Sequence, residues 1–232
     1  MSLKDAVVLV TGASRGIGRA IALAFAREGA CVVAAGRDPA LLATLETALR
    51  EQHPQSWTAA RDLTEPDACE QLVESIVTRH GRLDILVNNA GIATAAPVEH
   101  IRLDDWRRLL TINVEVPLRL TQQALPVMRR QRSGRIINIA SDAALRGIGG
   151  MSAYCASKHA LLGLGRAVNE ELRGTPVRLT TLCPGPVTTG IMGPGNPDAM
   201  APEDVAAAAV LAAGLSDRSF VAEMLLQPTR LG

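Results

Sequence analysis

Short apolar runs alternate with helix-like stretches along the whole of this chain of 232 residues. Continuous apolar runs are typical of parallel strands that are covered on both faces. Because helical patterns separate successive runs, the sequence predicts βαβ units in one α/β domain with a doubly wound sheet and no linker. The predicted strands are 6–10, 31–35, 84–88, 135–140, 177–182 and 220–226, with a weaker one at 57–61.

Local signals predict where several helices begin or bend. Asp38 precedes a proline and an apolar-periodic stretch, so it is the expected N-cap of one helix. Another helix is predicted to start at Thr64. The long helical stretch that contains Pro117 and Pro126 is expected to be kinked or locally broken, because proline cannot donate a helical hydrogen bond.

Charge, hydropathy and cysteine spacing narrow the function classes. The net charge is +1, which gives no reason to expect nucleic acid or a membrane surface as a partner. No apolar run reaches the roughly 18 residues of a membrane span, and the N-terminus begins a strand rather than a signal peptide. The spacing of Cys31, Cys69, Cys155 and Cys183 matches no metal motif. We therefore expect free thiols, no metal and a cytoplasmic location.

The first predicted strand runs directly into TGASRGIG, with glycines at 12, 16 and 18. Glycines allow a tight turn and close approach to a pyrophosphate, while the following helix offers free N–H groups and the positive end of its dipole. The spacing is T-G-x-x-x-G-x-G rather than G-x-G-x-x-G. Between a first strand and a first helix, this cluster indicates a dinucleotide-binding turn.

The end of the second strand favours NADP(H) over NAD(H). Gly36 stands where an acidic residue would hold the ribose 2′-hydroxyl, and Arg37 follows it. Arg15 lies in the glycine turn. Two guanidinium groups are well shaped to bind a 2′-phosphate.

The chain contains, in this order, the motifs TGASRGIG (11–18), DL (62–63), NNAG (88–91), Asn113, Ser141, YCASK (154–158) and PGPVTT (184–189). With these motifs the chain resembles the classical short-chain dehydrogenases/reductases, and most closely their bacterial 3-oxoacyl-acyl-carrier-protein reductase-like and sugar- or steroid-reductase-like members. The resemblance covers almost the whole chain. It implies a Rossmann-type parallel sheet of seven strands in the order 3-2-1-4-5-6-7. It also implies oxidoreductase activity on a small carbonyl or alcohol substrate.

The resemblance implies roles for individual residues. Tyr154 would be the general acid or base, Ser141 would hydrogen-bond the substrate oxygen, and Asn113 would hold a water that relays protons to Lys158. Lys158 would bind the nicotinamide ribose and lower the pKa of Tyr154. The implied cofactor contacts are Gly12, Ser14, Arg15, Gly16, Ile17, Gly18, Arg37, Asp62, Leu63, Asn89, Ala90, Gly91, Tyr154, Lys158, Pro184, Gly185, Val187 and Thr189.

The spacing of Tyr154 and Lys158 supports these roles on physical grounds. Tyr154 is the only tyrosine in the chain, and Lys158 is four residues further on, which places both on one face of a helix. A free phenol has a pKa of about 10, and a nearby ammonium favours its ionised form. A ketone that gains a hydride needs a hydrogen-bond donor and a proton, which Ser141 and Tyr154 can supply.

The region that would form a substrate lid, 190–201, is short and rich in glycine and proline, so we expect an open site with weak substrate selectivity. Family resemblance implies a homodimer or homotetramer, chiefly through the long helices. An alternative is a non-catalytic sensor or scaffold that binds the cofactor. The intact Asn113, Ser141, Tyr154 and Lys158 set argues against it, because a protein without turnover does not need these residues.

Overall fold

A computed structural model of the chain describes residues 2–189, 198–216 and 218–229. It contains one parallel sheet in the order β3-β2-β1-β4-β5-β6-β7, which confirms the predicted fold. The strands are Val7–Thr11 (β1), Cys31–Gly36 (β2), Trp57–Ala60 (β3), Ile85–Asn88 (β4), Gly134–Ile139 (β5), Val177–Pro184 (β6) and Glu223–Leu226 (β7).

Helices connect these strands and cover both faces of the sheet. They are Gly16–Arg27 (α1), Pro39–Gln52 (α2), Ala68–His80 (α3), Leu103–Leu110 (α4), Val116–Gln131 (α5), Ser152–Glu171 (α6) and Pro202–Gly214 (α7). Successive side chains of a strand point to opposite faces, so β1 contributes to two cores. Val8 and Val10 pack with α1, α2 and α7, whereas Val7 and Leu9 pack with α3, α5 and α6.

Two helix predictions need comment. Asp38 is the N-cap of α2, as predicted, and its Oδ1 accepts hydrogen bonds from the backbone N–H groups of Ala40 and Leu41 at 3.0 and 3.1 Å. The predicted start of α3 at Thr64 is wrong, because that helix begins at Ala68. Asp62 Oδ1 accepts hydrogen bonds from the backbone N–H and hydroxyl of Thr64, which holds this stretch in a turn.

The expected break in the long helix takes the form of a π-helical turn, Thr111–Glu115, between α4 and α5. Pro117 lies directly after it, in the first turn of α5. Because proline has no N–H, Pro117 cannot donate the α-helical hydrogen bond to the backbone oxygen of Asn113, four residues earlier. The regular α-helical hydrogen bonding is therefore interrupted at the π-helical turn. Pro126 is accommodated inside α5.

Candidate active site

A cleft of about 700 Å³ opens along the carboxyl edge of the sheet. It runs from the glycine turn and the end of β2, past residues 89–93, to Tyr154 and Lys158 on α6. Ligands of open α/β sheets bind at this edge, where the strand order reverses. In this sheet the reversal lies between β1 and β4, which are adjacent in space and not in sequence.

The glycine turn has no room for a Cβ atom at Gly12 or Gly18. Gly12 and Gly16 have φ angles of 63° and 57°, which favour glycine. A Cβ atom at Gly18 would lie 2.4 Å from both Asn89 Nδ2 and Gly12 O. Arg15 is the N-cap of α1 without a side-chain cap, so the first N–H groups of the helix face the turn. These features fit the pyrophosphate of a dinucleotide.

Asn89 joins the NNAG segment to the glycine turn. Its Nδ2 donates to the backbone oxygens of Thr11 at 2.8 Å and Gly12 at 3.3 Å. In return, Thr11 Oγ1 accepts hydrogen bonds from the backbone N–H groups of Asn89 and Ala90, at 3.0 and 3.1 Å. The two motifs that form the wall of the cleft are thus held in a fixed relation.

Charged residues lie at the end of the cleft formed by β2 and β3. Arg37 is 56% exposed, and its Nη1 lies 3.9 Å from Asp62 Oδ2. Hydrogen bonds from Thr64, together with the nearby Arg37 and Arg108, lower the pKa of Asp62 despite partial burial. Arg61 also lines this end of the cleft and donates to Gln71 Oε1 at 2.8 Å, although the sequence did not single it out.

Tyr154 and Lys158 meet on one face of α6, as their spacing predicts. Lys158 Nζ lies 5.7 Å from the centroid of the Tyr154 ring. The ammonium is buried and donates to the backbone oxygen of Ile139 at 3.0 Å. This burial lowers the pKa of Lys158 to about 8.

The expected lowering of the Tyr154 pKa by Lys158 is not found. Burial raises the pKa of Tyr154, and the charges of Asp142 and Cys155 add to that effect, whereas a hydrogen bond with Ser141 opposes it. Burial of the phenol is the largest of these effects, and the Lys158 ammonium donates to the backbone oxygen of Ile139.

Ser141 follows β5 and begins a short 3₁₀ turn. Its Oγ accepts a hydrogen bond from the backbone N–H of Ala143 at 3.2 Å and donates to Asp142 Oδ1 at 3.1 Å. Asp142 Oδ2 accepts from Nε and Nη2 of Arg146, at 3.0 and 2.7 Å. The catalytic candidate Ser141 is therefore bonded to a buried carboxylate.

Asn113 lies in the π-helical turn and is buried. Its Nδ2 donates to the backbone oxygen of Ile92 at 2.9 Å and to Ser157 Oγ at 3.0 Å, and its Oδ1 accepts from the backbone N–H of Ile92 at 2.9 Å. A Cβ atom at Gly91 would lie 3.3 Å from Asn113 Oδ1 and 3.6 Å from Lys158 Nζ. The side-chain oxygen of Asn113 and the ammonium thus face the same small space.

The PGPVTT segment reaches the cleft only in part. Thr189 lines the cleft, whereas Pro184, Gly185 and Val187 are not among the described residues that line it. Gly185 N–H donates to the backbone oxygen of Leu226 at 2.8 Å, and Val187 forms a bridge with Met200. Most of the predicted lid, 190–197, lies outside the described residues.

Sequence reasoning also missed the pair formed by Asp142 and Arg146. Their spacing of four residues is a signal for an ion pair on a helix, but these residues follow a strand and no helix was predicted there.

All four cysteines are buried and free, as expected.

A fold with this strand order, a glycine turn and a Tyr-x-x-x-Lys pair at the carboxyl edge defines a class of nicotinamide-dependent oxidoreductases. The short chain dehydrogenase family model matches residues 6–199. The chain therefore belongs to the short-chain dehydrogenase family.

Characterised and uncharacterised relatives share this family. The chain is 38% identical over 192 residues to the uncharacterized oxidoreductase YxjF of Bacillus subtilis, a match that covers 82% of this chain and 74% of the relative. It is 34% identical over 189 residues to the 3-oxoacyl-(acyl-carrier-protein) reductase FabG of Thermotoga maritima, covering 82% and 77%. The similarity to 3-oxoacyl reductases expected from the motifs is thereby confirmed.

Two solved structures share the whole fold. A metagenomic short-chain oxidoreductase in complex with NADP superposes with a TM-score of 0.88 at 35% identity, covering 100% of both chains. An alcohol dehydrogenase of the archaeon Thermococcus sibiricus, complexed with 5-hydroxy-NADP, gives a TM-score of 0.90 at 27% identity, covering 98% of both. Within the described ranges of this chain, no helix is long and apolar enough to span a membrane.

Proposed function

We propose that this protein is an NADP(H)-dependent oxidoreductase that interconverts a carbonyl compound and a secondary alcohol. One observation carries the proposal: Tyr154 and Lys158 lie together at one end of a cleft whose other end is the glycine turn, and Ser141 is a hydrogen-bond partner of Tyr154. Nicotinamide, when bound, supplies or accepts the hydride. The substrate oxygen then needs a proton and a hydrogen-bond donor beside it.

In this proposal each residue has a distinct task. Tyr154 gives its phenolic proton to the substrate oxygen during reduction and takes it back during oxidation. Burial raises the Tyr154 pKa, so the phenol is protonated and ready to donate near neutral pH. Ser141 orients the substrate oxygen, Lys158 binds the nicotinamide ribose, and Asn113 Oδ1 holds a water beside Lys158 Nζ.

The preference for NADP(H) rests on the charges at the end of the cleft. Arg37 is exposed, and among the described residues it has only a long ionic contact, with Asp62, so its guanidinium is available to a 2′-phosphate. Arg15 and Arg61 line the same cleft. The NADP complexes of the two structural relatives support this preference.

The Arg37→Ala variant tests the cofactor preference. We expect its Kd for NADPH to rise by about tenfold, the value of one charge-assisted hydrogen bond, and its Kd for NADH to stay within about twofold. Fluorescence titration of both cofactors measures this. Arg27→Ala, which removes an exposed arginine at the end of α1, is the matched control. An unchanged NADPH affinity in Arg37→Ala would refute the assignment.

Turnover distinguishes the enzyme from a cofactor-binding sensor or scaffold. A panel of ketones, aldehydes, quinones and β-ketoacyl thioesters, each with NADPH, should show oxidation of the cofactor with several of these compounds. Binding of NADPH with no oxidation by any member of the panel would favour the sensor. One sharply preferred substrate would contradict the weak selectivity expected from a short lid.

A further inference from the structure

We propose that Gly165 is a positioning residue for Tyr154 and Lys158, because the absence of a side chain at this point of α6 sets how closely the helix packs on the sheet. This inference rests on the proposed function for its catalytic meaning. Its structural basis is a close approach of α6 to β6, together with the hydrogen bonds on either side of it. Gly165 is not among the described residues that line the cleft, so it would act through Lys158.

Gly165 is buried on the side of α6 that faces the sheet. A Cβ atom at this position would lie 2.6 Å from Thr181 Oγ1 and 3.1 Å from Leu179 Cδ2. The first distance is far inside normal contact distance, so either the helix or the threonine would have to move. The backbone of Gly165 is α-helical, a conformation that every residue with a side chain adopts readily. Space, rather than backbone conformation, therefore requires glycine at this position.

Thr181 has little freedom to give way. It is buried in β6, its backbone N–H donates to the backbone oxygen of Ala222 at 2.9 Å, and its β-branched side chain is stiff at χ1. Its partner across β5 is Asn138, whose Oδ1 accepts a hydrogen bond from Asn88 Nδ2 of β4 at 2.9 Å. Because three strands are joined at this level, a side chain at Gly165 would displace the helix rather than the sheet.

The part of α6 that follows Gly165 is fastened to the sheet. Asn169 Nδ2 donates to the backbone oxygen of Leu179 at 2.9 Å, and its Oδ1 accepts from the backbone N–H of Leu179 at 3.2 Å. Arg166 Nε and Nη2 donate to the two carboxylate oxygens of Glu223 in β7, at 2.6 and 2.9 Å. A helix that is held at this end and lifted at Gly165 moves most at its other end, which carries the catalytic candidates.

Two hydrogen bonds at that other end depend on how closely α6 packs. Lys158 lies seven residues before Gly165, two helical turns away on the same face, and its Nζ donates to the backbone oxygen of Ile139 at 3.0 Å. Ser157 Oγ accepts from Asn113 Nδ2 at 3.0 Å. Both bonds join α6 to segments that other elements hold in place. A lifted helix would therefore lengthen them and move Lys158 relative to the cleft.

Gly165→Ala tests the inference, with Gly163→Ala on the exposed side of the same helix as the matched control. With NADPH and a carbonyl substrate that the wild type reduces, we expect kcat of Gly165→Ala to fall by at least about tenfold, because misplaced groups slow the chemical step. Its Kd for NADPH should stay within about threefold, since the glycine turn is untouched. Gly163→Ala should change neither value by more than about twofold.

Substitutions of Thr181 distinguish crowding from a general loss of structure. Thr181→Ala removes Oγ1, so the double variant Gly165→Ala/Thr181→Ala should regain most of the kcat of Thr181→Ala alone. Thr181→Val keeps an atom in the place of Oγ1, so it should not restore kcat in Gly165→Ala. If Gly165→Ala does not fold, Thr181→Ile carries the same test with the same expected fall in kcat, because it crowds Gly165 from the strand by one additional carbon atom.

A second measurement needs no substrate. Because Tyr154 is the only tyrosine, protein prepared with isotope-labelled tyrosine gives the ring signal of a single residue in nuclear magnetic resonance. We expect this signal to shift in Gly165→Ala, to return toward its wild-type position when Thr181→Ala is added, and to stay in place in Gly163→Ala.

Three results in an active enzyme would overturn the inference and leave the proposed function standing. They are a wild-type kcat in Gly165→Ala, an equal loss of kcat and NADPH affinity in that variant, and no recovery on addition of Thr181→Ala. A wild type that turns over no substrate would instead overturn the proposed function. The ring signal would then still decide whether Gly165 sets the position of Tyr154.

Discussion

Gly18 shows how a single residue fixes the geometry of the cofactor cleft. A Cβ atom there would lie 2.4 Å from Asn89 Nδ2 and Gly12 O, which is far inside normal contact distance. Since Asn89 also joins β1 to the NNAG segment, a side chain at Gly18 would separate the two motifs. The absence of a side chain is therefore a structural requirement at this position.

Gly18→Ala tests that requirement. We expect a loss of NADPH affinity of at least about tenfold and a lower free energy of unfolding, because the backbone at Gly12 must move. Gly163→Ala, inside α6, is the matched control. Apart from the neighbouring backbone of α6, no described atom lies within 4 Å of a Cβ atom placed at Gly163. This change should therefore raise the free energy of unfolding by about 0.5–1 kcal/mol. Chemical denaturation and NADPH titration measure both variants. Equal behaviour of the two would contradict the account.

At the scale of single elements, Asp38 stabilises α2 through its side chain. Asp38→Ala should lower the free energy of unfolding by about 1 kcal/mol, because the N–H groups of Ala40 and Leu41 lose their acceptor. Asp67 is the contrasting case, since its side chain makes no capping bond to α3. Asp67→Asn should stay within about 0.5 kcal/mol of the wild type in the same denaturation experiment. A neutral Asp38→Ala would show that the cap contributes no stability.

Helices and strands could be predicted from the sequence where the local residue pattern favours the same structure as the packing of the folded protein. The apolar runs located the strands of the described sheet, and Asp38 located the start of α2. Thr64 misled because Asp62 binds it in a turn, and the φ angle of 56° at Asp67 delays the helix to Ala68. The local pattern contains no information on such a competition between neighbouring hydrogen-bond partners.

The same limit applies to the candidate site. The sequence brought Tyr154 and Lys158 together, because their spacing alone places both on one helix face. It could not show that Lys158 donates to Ile139 or that Ser141 donates to Asp142. Burial and the choice of acceptor arise only when β5 and α6 pack together, and burial determines the direction in which the Tyr154 pKa moves.

At the scale of the whole molecule, stability should fall in mild acid because of His80. Its Nε2 accepts a hydrogen bond from Trp57 Nε1 at 3.0 Å, which links α3 to β3. Burial, Arg79 and His53 lower the pKa of His80 below its usual 6.5. The unfolded chain therefore binds more protons as the pH falls through 6.5, and the free energy of unfolding decreases.

His80→Gln removes this titration and keeps a side chain that can accept from Trp57. Between about pH 7 and pH 5, its free energy of unfolding should depend less steeply on pH than that of the wild type, as measured by denaturation at a series of pH values. Equal slopes would contradict the role given to His80. The pKa values of Asp62 and Glu223 are lowered in the folded protein, so these carboxylates lose their contribution to the free energy of unfolding only in stronger acid. This loss is the same in the wild type and in His80→Gln.

In the proposed function, the cofactor binds in the cleft along the carboxyl edge of the sheet, and Tyr154 at the end of this cleft donates the proton. Tyr154→Phe tests this most directly, because it removes only the phenolic oxygen. With NADPH and a carbonyl substrate that the wild type reduces, we expect kcat to fall by at least about 100-fold and the Kd for NADPH to stay within about twofold. Turnover retained in Tyr154→Phe would contradict the assignment of Tyr154 as the proton donor.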